Sequence, residues 1–163
     1  MRLLIATVSV IAAALVACAD PAPTLEVGTG QTSFEPLAAG DPIELVAGPQ
    51  GGYHVFLALR CAGCASPVTV RYGANDATSG ELLTFDDLQR TVTLHDVDGL
   101  GEYAPLVGFL RSTRPADYVD RAVVLWAEIL DSRDDGNGDS TSVATEASID
   151  AIIVDATTGA GLP

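Results

Sequence analysis

The stretch GPQGGYHVFLALRCAGC, residues 48–64, decides how the rest of the chain is read. Gly-Pro and Gly-Gly form a turn signal, because glycine takes backbone angles other residues resist and proline pre-sets one of them. Between that turn and a second glycine lies YHVFLALR, residues 53–60, whose length and apolar content predict a buried β-strand. Side chains alternate across a strand, so Tyr53, Val55, Leu57 and Leu59 share the core face. His54, Phe56, Ala58 and Arg60 share the other.

The same punctuation recurs along the chain. Turn signals stand at 28–30, 40–42, 48–52, 73–76, 98–101, 135–138 and 158–159. Between them, runs rich in Val, Ile, Leu, Thr and aromatics predict strands at 25–27, 43–46, 53–60, 68–72, 91–97, 103–110, 122–130 and 143–154. Eight short strands with even turn spacing predict an all-β fold, an antiparallel β-sandwich, over alternating βα units. Thr84 and Asp87 have capping-box spacing, which predicts one helical turn at 84–88. In RAVVLWAEIL, residues 121–130, both faces are apolar, as expected of a central strand. Val123, Leu125 and Ile129 lie on one face; Val124, Trp126 and Leu130 lie on the other, and Trp126 is expected in the core. The last strand splits Val143, Ala147, Ile149 and Ile153 from Glu146, Ser148 and Asp150.

The amino terminus carries a different pattern. Met1-Arg2 precedes an apolar run over 3–17, of signal-peptide length and shorter than the roughly 20 residues of a transmembrane helix. It ends in Leu15-Val16-Ala17-Cys18, which resembles the bacterial lipobox. That resemblance implies a signal peptide over 1–17 and lipidation of Cys18 by a diacylglyceryl group and an N-acyl chain such as palmitate, enough for stable membrane anchoring. Residues 18–24 are then the lipidated cysteine and a short Pro-rich tether, and 25–163 a single domain. Ala19 follows the cysteine where an aspartate would mark inner-membrane retention. By resemblance to that sorting pattern, the expected location is the cell envelope, outer membrane over inner.

The chain has 22 acidic and 8 basic residues, a formal net charge of −14. Repulsion disfavours nucleic acid and anionic headgroups as partners. Behind an export signal, Cys61 and Cys64 are an even pair in an oxidising compartment, and a local disulfide is the expectation. The alternative is a zinc or copper site of His54, Cys61, Cys64 and His95, since thiolate and imidazole suit those metals. A third candidate is calcium: Asp135, Asn137, Asp139 and Glu146 match positions one, three, five and twelve of a calcium loop. Its sixth position is Ser140 in place of glycine, and a hairpin turn explains the same letters. No nucleophile elbow, His-Glu-x-x-His or Walker loop is present in the sequence, so no enzyme activity and no cofactor are expected.

Further letters carry a family resemblance: Val27-Gly28-Thr29-Gly30, Phe34-Glu35-Pro36-Leu37, Ile43-Glu44-Leu45-Val46 and, above all, residues 48–55, GPQGGYHV. In these the chain resembles a group of short predicted lipoproteins of myxobacterial type. The resemblance implies an immunoglobulin-like sandwich and carries no assigned activity or catalytic residue. The functional expectation is therefore a lipid-anchored envelope protein acting as a non-enzymatic binding or structural module, held to the membrane by its lipid and serving an envelope partner. The alternative is a periplasmic metal-binding protein using His54 with Cys61 and Cys64.

Overall fold

A computed structural model of the chain describes residues 22–86, 88–134 and 139–156, with backbone alone at 131–134 and 139–142. The described residues are all-β. Nine strands run in order: β1 (Thr24–Gly28), β2 (Asp41–Ala47), β3 (Tyr53–Ala62), β4 (Val68–Asp76), β5 (Gln89–Val92), β6 (His95–Val97), β7 (Leu100–Phe109), β8 (Ala122–Asp134) and β9 (Asp139–Asp155). One 3-10 turn, Pro115–Asp117, precedes β8. The strands form one strongly curled, half-barrel sheet in the order β5-β4-β8-β9-β2-β3-β7-β6, with β1 added on β3.

The sheet is mixed, where an antiparallel one was expected. β2 supplies the exception: Asp41 to Leu45 pair parallel with Ala151 to Asp155 of β9. Its last residues, Val46 and Ala47, pair antiparallel with His54 and Tyr53 of β3. β2 thus joins the two halves of the sheet and lets it curl around one core. Below the β2 pairing, the same edge of β3 is taken by β1, from Gly28↔Ala58 to Thr24↔Ala62.

The curl encloses Val55, Leu57 and Leu59 of β3, Val70 of β4, Leu106 of β7, Val123 and Leu125 of β8 and Ile153 of β9, all fully buried. Period-two alternation is realised in β9, with Glu146, Ser148 and Asp150 outward, and in β3 apart from Ala58, which is fully buried as well. Val143 is exposed instead of inward, because it pairs with Leu130 beyond a register shift at Ile129/Leu130. β7 bulges opposite β3, where Leu57 pairs with Leu106 and Leu59 with Tyr103. Pro105 lies within that bulge and has no N–H to give the ladder.

Three expectations are corrected. Trp126 is half-buried on the outer face of β8, while Val123, Leu125, Ala127 and Ile129 form the core face. Its indole N–H donates to Asn75 Oδ1 at 2.9 Å, and Gly73 directly opposite leaves room for the ring. The expected helical turn at 84–88 is absent at Thr84, which forms an isolated bridge with Leu110. Thr84 is fully buried, and its hydroxyl accepts the Ala74 N–H at 3.2 Å. The single strand expected over 91–97 is two. β5 pairs with β4 and β6 with β7, and the chain crosses between them at Leu94, whose N–H donates to Ser66 Oγ.

Candidate binding surface

β3 carries different chemistry at its two ends. At its finish, Cys61 is buried and lies at disulfide distance from Cys64, with Cα atoms 5.8 Å apart, so the expected local disulfide closes the corner into β4. At its start, His54 is partly buried on the opposite face of the strand. Seven residue steps at about 3.3 Å each separate His54 from Cys61 by roughly 23 Å. His95 is exposed on β6, opposite Glu102 of β7. The proposed zinc or copper ligands are therefore not brought together, apart from the two cysteines. Among the described residues, no group of three His, Cys, Asp or Glu side chains converges to hold a metal ion.

Of the calcium candidates, Asp139 and Glu146 stand apart along β9. Asp135 and Asn137, like Cys18, lie outside the described residues. The β8–β9 pairing continues to Asp134↔Asp139, and Glu146 pairs with Glu128 further down the hairpin. The seven residue steps from Asp139 to Glu146 again span roughly 23 Å of strand.

What the register does assemble was not visible in any motif. His54 sits between Val46 of β2 and Phe109 of β7. Beyond Phe109, the Phe85 N–H donates to the Phe109 carbonyl at 3.2 Å, next to the Thr84–Leu110 bridge. Thr84 and Leu110 point inward, so Phe85 and Phe109 point out, 49% and 50% exposed. The His54 ring meets Phe56 edge-on at 4.9 Å and Phe109 at 6.0 Å. Three of the chain's four phenylalanines thus lie with one histidine on one outer surface. Burial lowers the His54 pKa, favouring the neutral ring. A neutral imidazole can accept as well as donate a hydrogen bond.

Beside Phe56 the sheet edge opens. β2 leaves β3 for β9, β1 has already ended, and the Thr29 hydroxyl spans the gap by donating to the Phe56 carbonyl at 3.0 Å. A cleft of about 370 Å³ lies there, bounded by Thr29, Gln31, Glu35, Glu44 and Phe56. The segment after β1 is pinned by paired bonds between Thr29 and Glu35, 2.9 and 2.8 Å. Hydrogen-bonding groups and exposed aromatic rings are thereby continuous on one side of the molecule.

The other half of the same outer face is charged. Glu26, Arg60, Glu102 and His95 form a row across β1, β3, β7 and β6. Arg60 donates to Glu102 at 2.8 Å, approaches Glu26 at 3.7 Å and covers the Phe34 ring at 4.2 Å.

A polar network closes the far end of the molecule, near the aromatic row. Asp76 accepts from the Ser79 N–H at 2.6 Å, Arg121 Nε at 2.5 Å, the Ser79 hydroxyl at 2.8 Å and the Thr78 N–H at 3.0 Å. These bonds, the Ser79 N–H first, hold its carboxyl well below the usual range against opposing burial. Asp117 is lowered as well, chiefly by the Ser112 hydroxyl at 2.5 Å, with Arg114 helping. Arg111 pairs with Asp86 beside Phe85. These groups satisfy one another, and they read as the brace of the loops around 77–80 and 111–121.

No helix among the described residues is long and apolar enough to cross a membrane. No family model matches the chain, and no curated protein or solved structure is significantly similar to it.

Proposed function

We propose that this chain is a lipid-anchored protein of the cell envelope, outer membrane over inner, whose β-domain works by binding and not by catalysis. The anchor rests on Leu15-Val16-Ala17-Cys18 and the membership on the GPQGGYHV letters of the myxobacterial-type lipoproteins. The finer fold reading is an immunoglobulin-like sandwich. It is supported by β2 dividing its pairing, parallel with β9 and antiparallel with β3, so that the curled sheet acts as two facing halves.

One observation carries the binding role: the exposed Phe85–Phe109–His54 row with Phe56 beside it. Fully burying a phenylalanine is worth about 1.5–3 kcal/mol, so covering two half-exposed rings is worth roughly that much together. A partner that also meets the neighbouring cleft gains hydrogen bonds to Thr29, Gln31, Glu35 and Glu44.

The test is a photo-crosslinking amino acid placed at Phe85 in intact cells, with Asp150, exposed on β9, as the control position. Adducts at position 85 and not at 150 are the expected result. Equal labelling at the two positions, or none at 85, rejects the surface. In parallel, Cys18→Ser should move the protein from the membrane fraction to the soluble one.

A further inference from the structure

The exposed phenylalanines raise a question that the binding proposal leaves open, since apolar rings on a membrane-tethered domain can equally enter the bilayer. Where the chain leaves the domain answers it. Thr24 is paired with Ala62, and Pro23 lines a cleft with Cys64, Ala65, Pro67, Ile129 and Ala144. The exit point of the tether is therefore held at the disulfide end of the sheet by the β1 ladder. It is the same end at which β4 begins and at which the β8–β9 hairpin runs on past its last β4 partner, Thr69↔Leu130.

Pro23 follows Cys18 by five residue steps. Fully extended, they reach at most about 18 Å. β3 alone, 10 residues long, spans roughly 33 Å from the disulfide corner to Tyr53. The aromatic row stands at that far end. A domain inverted onto the bilayer would need a tether running back along the whole strand, and this one is about half long enough.

Tilting sideways onto the aromatic face meets a second obstacle. The half of that face nearest the tether bears the Glu26–Arg60–Glu102–His95 row, and the exposed Glu35 and Glu44 lie at the cleft. Removing the exposed Glu26, Glu35 and Glu44 carboxylates from water against headgroups is costly.

We propose that the disulfide end of the domain is its bilayer-facing surface, and that the Phe85–Phe109–His54 row is held outward, beyond reach of the membrane that holds the anchor. This rests on the lipid-anchored reading above. It makes the partner of the aromatic row something other than the protein's own bilayer.

Energy transfer in vesicles tests it. The lipidated full chain carries Trp126→Phe, so that one new tryptophan reports alone. Ala65→Trp places it at the disulfide end and Phe85→Trp in the aromatic row; both positions are exposed. The acceptor is a dansyl-headgroup lipid in phosphatidylcholine vesicles. Transfer from position 65 should exceed that from position 85 several-fold. Equal transfer, or more from position 85, on protein that floats with the vesicles overturns the orientation and leaves the anchor standing. Protein with Cys18 intact that fails to float with the vesicles overturns the anchor, and the orientation with it.

Discussion

Gly28→Ala should be among the costliest single-methyl additions in this protein. A Cβ built on Gly28 stands 2.3 Å from the Glu35 carbonyl oxygen and 2.8 and 2.9 Å from two ring atoms of Phe34. The carbonyl cannot recede freely, because it accepts the Thr29 N–H while Glu35 N–H donates back to Thr29. Nor can the ring, which is buried beneath the Arg60 guanidinium. Overpacking of this kind costs about 1–3 kcal/mol. Loss of one or both backbone bonds adds about 0.5–1.5 kcal/mol each. We expect a total of about 2–4 kcal/mol, read from urea unfolding with an unchanged slope. Gly52→Ala is the control: a Cβ there meets nothing within 4 Å, and its effect should stay within about 0.5 kcal/mol. If Gly28→Ala unfolds within that same margin of the parent, the return of the 29–35 segment onto β1 is wrongly described, and the cleft beside Phe56 with it.

Three further outcomes follow from the packing and the charges. Leu125→Ala, in the fully buried face of β8, should cost about 2–5 kcal/mol, whereas Trp126→Phe should cost only about 1 kcal/mol for its lost bond to Asn75; calorimetry showing the reverse order would mean the faces of β8 are exchanged. Cys64→Ala opens a disulfide loop of four residues, for which the chain-entropy relation gives about 2 kcal/mol, so the melting temperature should fall by roughly 6 °C, and an unchanged melting point in non-reducing buffer would show that the bond is not formed. Asp76 and Asp117 both have lowered carboxyl pKa values, so their contribution to stability is whole above about pH 4 and drains as the pH falls through their folded values. Asp76→Asn should therefore destabilise the protein at neutral pH and flatten the acid limb of a plot of urea midpoint against pH; an acid limb as steep as the parent's would remove Asp76 from the account.

The strands were legible wherever one face alone is apolar. Tyr53 to Arg60, Ala58 apart, and the Glu146, Ser148, Asp150 side of β9 fall as alternation predicts, because a one-residue slip would put their whole apolar set in water. In β8 both faces are apolar, and nothing local decides between them. The small Gly73 across the ladder, which makes space for Trp126 outside, belongs to another strand. The break at Leu94 was hidden because residues 91–97 carry no Gly or Pro to mark where β5 and β6 take different partners. The Cys61–Cys64 bond was legible from the spacing of an even pair of cysteines and the export that the amino terminus leads one to expect. The aromatic row was not, because it depends on register alone. Phe85 lies in a segment with helix-capping letters, Phe109 ends a strand, and His54 starts another, with no sequence spacing to link them.

The two outer faces of the molecule are the strongest ground for giving that row a role. On the β5-β4-β8-β9 side, outward positions hold Thr91 beside Thr69, with hydroxyls 3.1 Å apart, and Arg71 bonded to Glu128 at 2.7 Å. Ser148 and Asp150 continue it; the exposed apolar side chains described there, Val143 and Ile152, are aliphatic, and the aromatic Trp126 has its polar atom satisfied by Asn75. Folding is served by such a face, since strand residues on the solvent side need only pack against their neighbours and stay wet. The same polar choices would serve β3 and β7 equally well. Phe85 and Phe109 instead keep half of each ring in water, forgoing burial that contributes to folding elsewhere in the sheet. Their exposure returns nothing to the fold, and under the orientation we propose the short tether keeps them from the bilayer as well. On that proposal, a contact with a separate partner is what covers them.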